Sequence, residues 1–109
     1  MPVSLPHPID AYVAASNSRD AATLASLFAQ DAIVHDEGHE YHGPEGVLAW
    51  RARVDQAFTV TIEPLTISHR DGLTVLRATV AGDFPGSPIE LDFDFQLTDE
   101  QISGLKIHP

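Results

Sequence analysis

The chain contains no cysteine, which removes disulfides, thiol nucleophiles and cysteine-held metals together. It is also poor in cations. Six lysines and arginines stand against sixteen acids, a formal net charge of −10. That field repels phosphate backbones and anionic lipid headgroups, so neither nucleic acid nor membrane is expected as a partner. No apolar run approaches the ~20 residues of a membrane span. The first eight residues lack a basic region followed by an apolar block, so no secretory leader is expected and a cytoplasmic location follows by default. Aromatics make up only 7%, with a single tryptophan. What is present suits one folded domain over residues 1–109: 43% of the residues are hydrophobic and 20% charged, enough for a modest core.

Helical spacing comes first along the chain. Ile9, Tyr12, Val13 and Ser16 recur at the helical period behind a proline-rich start. Asn17-Ser18-Arg19-Asp20 reads as a stop and restart, with Asp20 the N-cap of a second helix. That helix carries Ala21, Leu24, Leu27 and Phe28 and is expected to end at Asp31. Residues 32–36 read as a short strand, Gly38 as a turn and residues 40–42 as the return. Gly43-Pro44-Glu45 opens a third helix, with Val47, Trp50 and Val54 on one face.

From Phe58 the period changes to two. Pro64 marks a bulge or an edge, and Arg70-Asp71-Gly72 a hairpin turn. Residues 73–84 read as a long strand, apolar on both faces, before a turn at Pro85-Gly86-Ser87. Ile89, Leu91, Phe93, Phe95 and Leu97 then alternate with Glu90, Asp92, Asp94 and Gln96, giving one dry face and one wet face. The acids of the wet face read as a solvated stripe, with Arg77 opposite Asp94. Residues 102–107 make the last strand. Helices early and strands late predict an α+β fold, with about three N-terminal helices on one face of a mixed or antiparallel sheet.

Several stretches carry a resemblance. The run Ile9-Asp10-Ala11-Tyr12-Val13-Ala14-Ala15-Ser16-Asn17, then Asp20, Leu24 and Leu27-Phe28-Ala29-Gln30-Asp31-Ala32, then Val34-His35-Asp36 and Gly43 before a helix, resembles the nuclear transport factor 2-like superfamily. That group includes the SnoaL-like polyketide cyclases and the ketosteroid isomerases. The resemblance covers nearly the whole chain. It implies a cone, in which a strongly curved sheet wraps one pocket beneath the helices, and it implies a homodimer. It specifies fold far better than function, because the scaffold hosts isomerases, cyclases, dehydratases, epoxide hydrolases and non-catalytic modules.

Asp36 is the sharpest candidate for chemistry. Alternation puts Val34 and Asp36 on one strand face, and Ile33, His35 and Glu37 on the other. With Val34 inward, Asp36 reaches the cavity mouth, where apolar surroundings raise a carboxyl pKa and improve it as a base. The resemblance implies the same role, since the isomerases carry their proton-transferring aspartate at the matching position. It also places Tyr12 where those enzymes carry an oxyanion-donating tyrosine. Their third element, a later carboxylic acid, is missing, and Phe93 stands at its position. His39 or His35 is a candidate proton-transfer partner for Asp36. Three histidines and three acids crowd residues 35–42, yet a hairpin divides them between two faces, so no metal and no cofactor are assigned.

The expected ligand wall is Tyr12, Val34, Trp50, Leu91, Phe93 and Phe95. Arg51 is expected to reach Asp36 or Glu37, or to stand in solvent. The expected partner is a small apolar molecule, handled by Asp36 chemistry or held without catalysis; a dimeric assembly module is the further alternative.

Overall fold

A computed structural model of the chain describes residues 4–109, so the part of the leader reading that falls on residues 1–3 lies outside the described residues. Three helices precede or interrupt six strands. Helix α1 spans His7–Asn17, α2 Ala21–Ser26 and α3 Gly43–Ala57. The strands are β1 (Phe28–Asp36), β2 (His39–His42), β3 (Val60–Arg70), β4 (Leu73–Gly82), β5 (Ile89–Thr98) and β6 (Gln101–His108). They form one open sheet in the order β2-β1-β6-β5-β4-β3. Every neighbouring pair is antiparallel except β1 and β6, which run parallel, so the sheet is mixed.

Local chemistry accounts for most element ends. The Asp20 carboxylate accepts from the Thr23 backbone N–H at 3.1 Å and caps α2. A type I′ hairpin turn needs two residues at positive φ, and Glu37-Gly38 (53° and 76°) and Asp71-Gly72 (54° and 80°) supply them. Gly43 is needed for a second reason besides its φ of 68°. A Cβ there would stand 2.8 Å from the Gln30 carbonyl oxygen, where β1 passes the start of α3. Pro64 sits at a register shift on β3, which is an edge strand.

Two expected boundaries differ. Helix α2 stops at Ser26, and Phe28 already belongs to β1, opposite Ile102 of β6. The Ile102 N–H donates to the Leu27 carbonyl at 2.9 Å, so the last strand draws this segment out of the helix. A bulge between Phe28 and Ile33 then absorbs the residues expected to continue α2. At the other boundary, β4 ends at Gly82, not at residue 84, and Phe84 lies in the turn.

The core lies between the helices and one face of the sheet. Tyr12 is its aromatic hub, meeting Phe28, Phe93 and Phe95 edge-on at centroid distances of 6.3, 6.2 and 5.2 Å. Each such pair adds roughly 0.5–1.5 kcal/mol beyond area burial. The acids of β5 point to the opposite face, as their alternation predicts. There Arg77 lies opposite Asp92, which it contacts at 3.1 Å together with Glu90 at 3.3 Å. The expected Arg77–Asp94 pairing is therefore displaced by two residues, and Asp94 instead meets His108 Nε2 at 2.8 Å.

Candidate active site

A recess of about 470 Å³ opens between α3 and the helix-facing side of the sheet. Four elements and one turn supply its polar groups. Strand β1 ends there with Asp36, the turn after it gives Glu37, β2 gives Tyr41, α1 contributes Tyr12, and α3 contributes Trp50, Arg51 and Arg53. The rest of the wall is mostly apolar, with Val54, Phe58, Val80, Phe84, Leu91 and Phe93 prominent. Phe58 and Phe84 meet edge-on at 5.9 Å, joining the end of α3 to the β4–β5 turn. The Asp83 carboxylate accepts from the Thr59 N–H at 2.7 Å and ties the same two segments.

Asp36 is half-buried at the β1 terminus. The Trp50 indole N–H donates to its Oδ2 at 2.9 Å. Burial is the largest influence on its proton and lifts the pKa above the ordinary carboxylate range. The Trp50 hydrogen bond opposes that rise, Glu37 adds to it, and Arg53 and His39 oppose it more weakly. Tyr12 is 1% exposed, and its hydroxyl makes no hydrogen bond among the described residues. Burial pushes the phenol well above its usual pKa; nearby Arg51 pulls it down and Asp36 pushes it up. Tyr12 therefore remains a proton-bearing donor that borders the recess.

The sequence-predicted residues divide into groups. Asp36, Tyr12, Trp50, Leu91 and Phe93 all border the recess. Val34 and Phe95 do not. Both are 0% exposed and lie in the core, Phe95 beneath the Tyr12 ring. Alternation puts them on the correct side of the sheet, but the helices cover that stretch of it. His39 stands opposite Asp36 in the β1–β2 ladder, on the same face. His35 stands on the other face, where its Nδ1 lies 3.7 Å from Glu40. It is thus unable to pair with Asp36 as expected, because adjacent strand residues diverge. The same divergence splits the histidine-rich hairpin, and no three of its ligand-type side chains converge on a common point among the described residues.

Arg51 also departs from expectation. It is buried, and its guanidinium donates to Ser16 Oγ at 3.0 Å and to Asp55 Oδ1 at 2.9 Å rather than to Asp36 or Glu37. The i,i+4 spacing of Arg51 and Asp55 was the available signal. Glu37, Tyr41, Phe58 and Phe84 join the recess without having been singled out. Tyr41 was recoverable from its pairing with Val34. Glu37 was not, because its positive φ in the turn breaks the alternation that assigned it to the outer face.

The model of the SnoaL-like domain matches residues 9–102. The chain belongs to the SnoaL-like domain family. Its fold is that of the nuclear transport factor 2-like superfamily, and solved structures agree. A candidate polyketide cyclase from Sinorhizobium meliloti is 35% identical, with 95% of each chain covered and a TM-score of 0.90. A protein of ketosteroid isomerase-like fold from Catenulispora acidiphila, in complex with trimethylamine, is 21% identical; 97% of this chain and 87% of that one are covered, with a TM-score of 0.86. An epoxide hydrolase-like structure from M. tuberculosis is 13% identical, covering 94% of this chain and 79% of that one, with a TM-score of 0.75. No curated protein matches the sequence. This SnoaL-like domain therefore shares its scaffold with proteins assigned to unlike reactions, and its own side chains must carry any functional argument.

Proposed function

We propose that this SnoaL-like domain binds an apolar small molecule in the recess and that Asp36 moves a proton on it. The observation that carries this reading is the Asp36–Trp50 pair. A carboxylate held by one indole N–H, in a mostly apolar wall, is oriented and is also made more basic by its surroundings. Tyr12 supplies a neutral donor to a substrate oxygen, and His39 is the nearer of the two candidate histidines to act with Asp36. Isomerase, cyclase and hydrolase chemistry all use such a group.

The test is turnover of apolar ketones and cyclic substrates by the natural chain and by Asp36→Asn. Loss of about a hundredfold or more in rate, with binding retained, is expected. Equal rates would remove Asp36 from the mechanism.

A second reading, binding without catalysis, is favoured by Phe93. It borders the recess where a second acid would complete an isomerase-like site. Under that reading, ligand raises the melting temperature equally in both proteins and neither turns it over. Association with a second copy belongs to either reading, and sedimentation equilibrium measures it.

A further inference from the structure

The charges around the recess are unequal. Its acids, Asp36 and Glu37, stand at the β1–β2 turn, and its cations, Arg51 and Arg53, come from α3. Arg51 is already committed, with its side chain 4% exposed and 2.9 Å from Asp55. That leaves exposed Arg53 against two carboxylates. His39, across the ladder from Asp36, adds positive charge only when protonated. Tyr12 and Tyr41 complete the ionisable groups, and both are phenols. Trp50 occupies Oδ2 of Asp36, while Oδ1 has no hydrogen-bond partner among the described residues.

We propose that the recess selects apolar molecules bearing one protonated nitrogen, with the ammonium on Asp36 and the hydrocarbon against Trp50, Phe58, Phe84 and Leu91. The proposal rests on the apolar-ligand reading above and narrows it. An ammonium N–H gives Oδ1 a charge-assisted hydrogen bond and offsets the desolvation of the carboxylate. Trp50, hydrogen-bonded to Asp36, and Tyr41 both border the recess, and aromatic rings attract cations. A ligand carboxylate in that place would face Asp36 and Glu37 with Arg53 alone to balance them. The net charge of −10 also concentrates cations around the whole molecule.

The test uses three ligands with one hydrocarbon body: adamantanemethylamine, adamantanemethanol and adamantanecarboxylate. Trp50 is the single tryptophan, so its fluorescence reports occupancy directly. At neutral pH the amine is expected to bind roughly tenfold tighter than the alcohol, and the carboxylate weakest. Asp36→Asn is expected to bring the amine and alcohol to about equal affinity. The natural chain gives a check that needs no variant. Lowering the pH from about 8 to about 4 favours protonation of Asp36, whose pKa burial raises, so amine affinity should fall while alcohol affinity holds. An alcohol that equals the amine, or a preference that survives both Asp36→Asn and acid, overturns the proposal and leaves the apolar-ligand reading standing. Failure of all three to bind overturns both.

Discussion

Asp36 gains a hydrogen bond from Trp50 but loses more of its hydration, and the second effect is the larger. A carboxyl whose folded pKa lies above its unfolded value holds its proton more tightly in the native state. Its contribution to stability is then present in acid and is lost as pH rises through the folded pKa. Asp36→Asn removes that titration, while the amide oxygen still accepts from Trp50. The variant is therefore expected to melt higher than the natural chain at neutral pH, with the gap closing in acid; thermal melts across pH measure it. A variant that melts lower at neutral pH would show that the ionised carboxylate is stabilised. Residues of this kind were legible early, because Asp36, Tyr12 and Trp50 each sit at a clear periodic position. Arg51 was not, because a charged side chain on a helix is exposed by default, and tertiary packing, with Ser16 of α1 against its guanidinium, buries it.

Asn17 hydrogen-bonds the end of helix α1 to the sheet. Asn17 donates to the Ile62 carbonyl at 3.0 Å and accepts from the Ile62 N–H at 2.8 Å. Strand β3 is an edge, so the Asn17 amide takes the place of a neighbouring strand at that residue. Asn17→Ala leaves both backbone groups without those partners and is expected to cost about 1–3 kcal/mol, measured by urea denaturation. A loss near zero would mean that water replaces the amide freely. In the sequence, Asn17 announced only a helix stop. Its partner lies 45 residues away, and nothing local encodes that distance. The same holds for Phe28, whose spacing continues α2 until β6 pairs with it.

Across the whole molecule, acids outnumber cations by ten charges on 109 residues. Self-repulsion of that size opposes the compact state, and salt screens it over about 10 Å at 0.1 M. Raising sodium chloride from about 10 mM to about 500 mM should therefore raise the melting temperature by a few degrees. The surface pairs of Arg77 with Glu90 and Asp92 oppose this, since screening weakens them, but exposed pairs contribute little. A melting temperature that falls with salt would show that specific ion pairs outweigh the net field. At this scale the sequence by itself determined the α+β class, the three helices, the hairpin turns, the outward acids of β5 and the inward side for Asp36. Each of these follows from a period or a turn residue within a few positions. Only the tertiary structure decided the parallel β1–β6 pairing, the burial of Arg51, and which inward residues stay open to the recess. Val34 and Phe95 face the same side of the sheet as Leu91 and Phe93, yet the helices cover the first two and leave the others at the wall. Alternation fixes the face a side chain takes, whereas what covers that face depends on elements far away in the chain.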